Sequence, residues 1–279
     1  EEPSANKEKM KIDATVADQY IRFPNDPGPV NEARLKTENI IDLLYGQLRE
    51  KLPVKPRTYR KLARRRYMAE AKKRQKSKVS LRKAIRYLLN CVERNIATID
   101  RLLDMLEAQQ LSFKYLHQLQ VINTLYRQQR TMYQEKTNRC DDRTVSIGQP
   151  HVRPIVRGKQ GKRVEFGSKL GLSLMDGFAK ADTLSWNAYN EAHDLKMQAR
   201  AYRSLYGHYP ELIQADKIYG TNENRKWCRQ NHIRLTVTPK GKPVEKTPYQ
   251  KRKQAKEYSE RNQVEGKFGQ AKQAYGPDN

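Results

Sequence analysis

Tyr258, Arg261, Glu265 and Lys272 follow one another near the C-terminal end at spacings of three, four and seven residues. On an α-helix, at roughly 100° per residue, they fall within about a 60° stripe roughly 21 Å long. That stripe offers one hard carboxylate donor beside a phenol, a guanidinium and an ammonium, all suited to phosphate. Two more carboxylates, Asp13 and Asp216, stand at positions set by strand patterns. Asp13, Asp216 and Glu265 together could hold two magnesium ions about 3.5 to 4 Å apart, activating an attacking oxygen and stabilising a leaving one. This is the chemistry of phosphodiester cleavage and transfer. The competing reading of the stripe is a solvated helix, because Lys and Glu are common in this chain.

The elements that must position these groups are legible from periodicity. Residues 10 to 16 alternate with a period of two, placing Ile12, Ala14 and Val16 on one strand face and Lys11, Asp13 and Thr15 on the other. Pro24, Pro27, Gly28 and Pro29 mark a turn that ends this regime at about Val30. Helical stripes follow, Ile40, Ile41, Leu44, Leu48 and Leu52 in one and Leu81 to Leu106 in another. From about Thr144 the pattern returns to strands. Val164 to Leu174 alternate and end at Asp176-Gly177, a hairpin signal, with the return strand through Phe178 to Trp186. A helix from Asp194 to Tyr206, closed by Gly207, precedes a short buried strand that ends at Asp216. Asn222 to Asn231 reads as a helix, Ile233 to Val237 as a last strand, and Tyr249 to Gln273 as a polar helix. Without its helical block, this is the element order of an α/β, RNase H-like mixed sheet flanked by helices. The predicted organisation is therefore a first strand in 1–30, a large basic helical insertion in 31–142, and the rest of the core in 143–279.

Charge points to the partner. The 279 residues include 56 Lys and Arg against 31 Asp and Glu, a net +25, which suits a polyanion. Sixteen basic residues and a single acid, Glu70, lie between Lys51 and Arg86. Arg64, Arg65, Arg66, Lys72, Lys73 and Arg74 are the candidate contacts to DNA phosphates, with Tyr59, Tyr67 and Tyr87 interleaved as flat rings for sugar or base. A solvated helix face is the bland alternative, but an unopposed run of this size repels itself. Apolar runs such as Ile40 to Leu44 fall far short of the roughly 20 residues of a membrane span, and the start lacks a signal peptide, so the expected location is cytoplasmic, on nucleoid DNA. Cys91, Cys140 and Cys228 are too scattered for a zinc knuckle or a disulfide framework and read as free thiols. The start without Met and the stop soon after a helical pattern suggest a piece of a longer chain. Glu191, following the hairpin, is either a fourth acid or a helix cap; Trp186 reads as packing, and His151 and His193 carry no role.

The Tyr258, Arg261, Glu265, Lys272 pattern resembles the signature of the DDE transposases in bacterial insertion-sequence families four and five, matching at all four positions. The stretches 11–16, 149–154, 215–219 and 261–266 are similar to family segments in the family's order. The resemblance implies that Asp13, Asp216 and Glu265 hold two magnesium ions, for which manganese can substitute. It also implies that Tyr258, Arg261 and Lys272 position the phosphates of the transposon end. Water attacks first, then the freed 3′ hydroxyl. Double-stranded DNA, as insertion-sequence ends and target, is the implied partner, and pairing two ends calls for a homodimer. The alternatives are a non-catalytic DNA-binding remnant of a truncated transposase, and a structural RNA-binding protein, which has no need of the C-terminal stripe.

Overall fold

The computed structural model describes residues 9–19, 21, 27–106, 111–156, 164–237 and 247–275. The chain divides into two compact units, one built from Glu1–Tyr20 and Pro154–Asn279, the other from Ile21–Arg153. The second unit thus extends on both sides of the block read from the sequence as 31–142.

The first unit is mixed α/β. Its strands are β1 (Lys9–Asp18), β2 (Arg153–Val156), β3 (Val164–Met175), β4 (Phe178–Ser185), β5 (Leu212–Gln214) and β6 (Arg234–Thr236). They form one sheet in the order β2-β3-β1-β5-β6, with β4 also paired to β3. β1 is antiparallel to β3 and parallel to β5, and β5 is parallel to β6. The β3–β4 hairpin turns at Asp176 and Gly177, both at positive φ, as the two central positions of a type I′ turn require. The helices are α5 (Asp194–Tyr206), α6 (Asn222–Gln230) and α7 (Pro248–Tyr275).

The alternation of β1 divides the core. Met10 and Ile12 pack with Leu195, Ala199 and Tyr202 of α5, with Ile213, and with Cys228 of α6. The opposite face of the sheet carries Leu172 and Leu174, which pack against Val264 and Phe268 of α7. The sequence reads Val164 to Leu174 as an alternating strand, and from Gly171 to Met175 every residue is buried, Ser173 included. Helices cover both faces of this part of the strand, so alternation there records which helix is met and not which side is wet.

The second unit is helical, with α1 (Pro27–Gln47), α2 (Arg60–Ala71), α3 (Lys78–Asp104) and α4 (Phe113–Glu135). The predicted turn through Val30 is corrected, because Pro27 and Pro29 belong to the first turn of α1. Proline is accepted there because the first amides of a helix have no intrahelical acceptor to lose. Two apolar clusters hold the unit. One joins Val30 and Ala33 to Leu88, Val92, Ile122 and Leu125; the other joins Ile40, Ile41 and Leu44 to Ile99 and Leu102. Both helical stripes read from the sequence are therefore buried seams.

Candidate active site

The pairing of β1 with β5 leads towards two of the candidate carboxylates. β1 and β5 pair as Lys9 with Leu212, Met10 with Ile213 and Lys11 with Gln214. Asp13 and Asp216 each lie two residues beyond the last of these pairs, and the charge of Asp216 acts on Asp13. Asp13 is half-buried in mid-strand, and its Oδ1 accepts from the Ala14 amide at 2.8 Å. Asp216 is exposed and caps a short 3₁₀ turn, Lys217–Tyr219, its Oδ1 accepting from the Lys217 amide at 2.6 Å.

The third carboxylate arrives on α7. Val264 and Phe268, one helical turn apart, anchor this otherwise polar helix to β3. Gln214 Nε2 donates to the Glu257 carbonyl at 3.1 Å, and Lys11 Nζ donates to Gln263 Oε1 at 2.9 Å. The same docking aims Arg261 at the strands. One arm of its guanidinium reaches Asp13 Oδ2 at 3.1 Å and the other reaches Glu265 Oε1 at 3.0 Å. A single fork therefore bridges two of the predicted acids. Its buried Nε has no hydrogen-bond partner. Among the described residues, no three acid, histidine or cysteine side chains are arranged to hold a metal ion; the guanidinium of Arg261 lies between Asp13 and Glu265. Tyr258 and Lys272 are exposed at the two ends of the stripe.

Burial pushes the Asp13 carboxyl above its ordinary range; the Ala14 amide and Arg261 pull it back, and Glu191 and Asp216 push it further. A carboxyl whose pKa is raised on folding supports the fold when protonated. That contribution is complete below the ordinary carboxylate pKa and is lost as pH rises through the raised one. With chelator present, Asp13→Asn is expected to flatten the fall in thermal midpoint across that interval and to leave the variant at least as stable as the parent at pH 7. A variant that melts lower at pH 7 with an unchanged pH dependence would show that the ion pair with Arg261 outweighs burial.

Around the acids, Lys169, Tyr189 and Asn224 escape the sequence reading, whereas Glu191 is legible as a fourth acid or a helix cap. Glu191 begins a 3₁₀ turn, but the capping role belongs to Asn190, whose side chain accepts from the Ala192 amide. Glu191 is paired with Lys169 of β3 at 2.9 Å, both largely buried. Lys169 also donates to the Tyr189 carbonyl at 2.8 Å and lies over the Tyr189 ring. Asn224 ties the two 3₁₀ turns together, its Nδ2 donating to the carbonyls of Ala192 at 2.7 Å and Tyr219 at 3.0 Å. For Lys169, Tyr189 and Asn224 the one signal in the sequence is a lysine inside an apolar strand.

The comparison with known families bears on this half of the chain. Residues 213–277, from β5 through α7, match the family model for the transposase DDE domain. The match supports a DDE transposase. No curated protein sequence matches the chain. The match contains Asp216, Arg261 and Glu265, and the fork of Arg261 reaches back from it to Asp13, 248 residues earlier in the sequence.

The basic segment of this transposase candidate lies outside that match. Arg64, Arg65, Lys72 and Arg74 are exposed and form no ion pair among the described residues. Arg66 lies 4.3 Å over the Tyr87 ring, and Lys73 holds the buried Glu70 at 2.6 Å. Arg94 lies over the Tyr59 ring, which stays 51% exposed, Arg66 lies over Tyr87, and Tyr67 packs partly buried against the core. Replacing Arg64 and Arg65 with Gln is expected to shallow the log-log salt dependence of DNA binding by roughly 0.9 per lost contact, with Arg66→Gln adding less. An unchanged slope would reduce this run to a solvated face.

Among the described residues, no helix is long and apolar enough to cross a membrane.

Proposed function

We propose that the chain cuts double-stranded DNA at the ends of an insertion sequence and joins the freed end to target DNA, using an RNase H-like core with a basic helical insertion after its first strand. The observation that carries this reading is the Arg261 fork. Asp13 and Glu265 lie 252 residues apart in the sequence, yet one guanidinium holds both, and Asp216 is near enough to Asp13 to act on its charge.

The donor set suits magnesium, because all three groups are hard carboxylate oxygens and two of them already share a cation. Asp13, Asp216 and Glu265 would hold the metal, which supplies Lewis-acid polarisation of the phosphate and activation of the attacking oxygen. The protein's own groups do the positioning. Arg261, with two arms and a spare Nε donor, can exchange a carboxylate for a phosphate in bidentate geometry. Tyr258 and Lys272 extend the same helix face and offer a hydroxyl and an ammonium along the DNA strand. Pairing two ends calls for a homodimer.

A DNA-binding remnant without catalysis is the second reading, favoured by the absence, among the described residues, of three acids arranged on one metal. Magnesium-dependent nicking of DNA carrying the element's ends, followed by strand transfer, separates the two. Binding without nicking in magnesium or manganese would leave the remnant.

A further inference from the structure

The N-terminal half of α3 is a ridge between two clefts. At roughly 100° per residue, Val79, Lys83, Arg86 and Asn90 share about a 60° stripe roughly 17 Å long, on the side of the helix away from buried Ile85, Leu88 and Leu89. All four are exposed, Val79 at 65%. About a quarter turn to one side lies a cleft of about 310 Å³ shared with α2 and rimmed by Arg66, Lys73 and Lys83. On the other side lies a cleft of about 320 Å³ shared with α4 and rimmed by Lys78, Arg82 and Lys136. The ridge is one helix wide, about 10 to 12 Å, and the major groove of duplex DNA is about 12 Å wide.

We propose that this ridge enters the major groove and reads base edges, while the cations on the two cleft rims meet the phosphates of the two flanking strands. The proposal rests on the DNA reading above and adds which surface supplies sequence preference. Its chemistry is in the side chains. Arg86 can donate twice to guanine O6 and N7, Asn90 can exchange both bonds with adenine, and Val79 offers a methyl surface to thymine. Asn90 is already oriented, because its Oδ1 accepts from Arg130 Nη1 at 3.3 Å and keeps a second lone pair for a base. Lys83 and Arg86 form no ion pair among the described residues. The rims are braced: Arg66 lies on Tyr87, and Arg82 lies 4.2 Å over the Tyr133 ring while donating to its carbonyl at 3.2 Å. Charge complementarity names the occupant, since the run from Lys51 to Arg86 carries sixteen cations and one acid.

The test is selection of the full chain against a random duplex library, alongside Arg86→Lys, Asn90→Ala and the Arg64→Gln/Arg65→Gln pair, each checked for unchanged helicity and thermal midpoint. The parent is expected to enrich a motif of a few base pairs containing guanine. Arg86→Lys keeps the charge but loses the fork. It should cost about tenfold in preference at one position, with affinity for unrelated duplex within about twofold of the parent. The Arg64, Arg65 pair should weaken binding to every sequence and leave the motif intact. A motif unchanged by both Arg86→Lys and Asn90→Ala overturns the proposal by placing base reading elsewhere. Duplex binding with no enriched motif also overturns it while sparing the DNA reading. Preference for RNA, single strands or anionic vesicles over duplex overturns both.

Discussion

Asp216→Asn is expected to lower magnesium-dependent cleavage by at least about a thousandfold while leaving DNA affinity nearly unchanged. The size follows from electrostatics, since stabilising charge on a phosphoryl transition state is usually the largest catalytic contribution. The structure explains why the fold should survive. Asp216 is exposed, and its structural duty is to accept the Lys217 amide at the head of a 3₁₀ turn, which an asparagine oxygen does equally well. Affinity is spared because backbone contacts come from Lys and Arg. Arg261→Ala should differ. It removes the shared cation of Asp13 and Glu265 and one proposed phosphate contact, so both binding and cleavage should fall. Gel-shift and nicking assays on the same end DNA, with and without magnesium, measure both variants; near-parental nicking by Asp216→Asn would remove the two-metal site.

The second large effect lies in the helical unit. Arg34 and Glu38 of α1 are paired at 2.5 Å with their side chains almost wholly buried. Arg34 also donates twice to Asn31 Oδ1, at 3.1 and 2.9 Å. Nearby, Asn95 of α3 donates to Thr37 at 3.0 Å, so a polar seam crosses between two helices inside an apolar core. Glu38→Ala strands a buried guanidinium with one neutral partner and is expected to cost about 3 to 5 kcal/mol. Replacing both residues, Arg34→Met with Glu38→Leu, removes the desolvation cost along with the attraction and should be neutral or stabilising by about 1 to 4 kcal/mol. Urea unfolding of the single and double variants decides this. A double variant as unstable as Glu38→Ala would mean that the helices depend on the pair itself.

What the sequence revealed is what repeats along it. The alternation from Met10 to Val16, the Asp176-Gly177 turn, and the three-four-seven spacing from Tyr258 to Lys272 are local patterns, and each occupies its expected element. Contacts between distant segments left no such trace. Nothing around Val264 and Phe268 announces that α7 docks on β3 through those two side chains. Lys169 alternates with apolar residues, and alternation cannot distinguish solvent from a second covering helix. Composition places tyrosines among arginines but does not say that Arg66 lies over Tyr87 and Arg94 over Tyr59. Pro27 and Pro29 read as a turn because proline serves a loop and the first turn of a helix equally well.

The position of the helical unit within the chain bears on synthesis. β1 leaves the ribosome before either of its sheet partners exists, because β3 and β5 follow the whole of Ile21–Arg153. Helical units fold quickly, so the strand bearing Asp13 waits while the helices form. Delay costs little in equilibrium terms, since each doubling of an intervening segment adds only about 0.6 kcal/mol to closure. Waiting is nevertheless hazardous for a strand with one apolar face, and Lys9 and Lys11 place charge on the first residues of its other face. Asp13 is made before the helical unit, and its strand is enclosed only after β3 and β5 follow that unit.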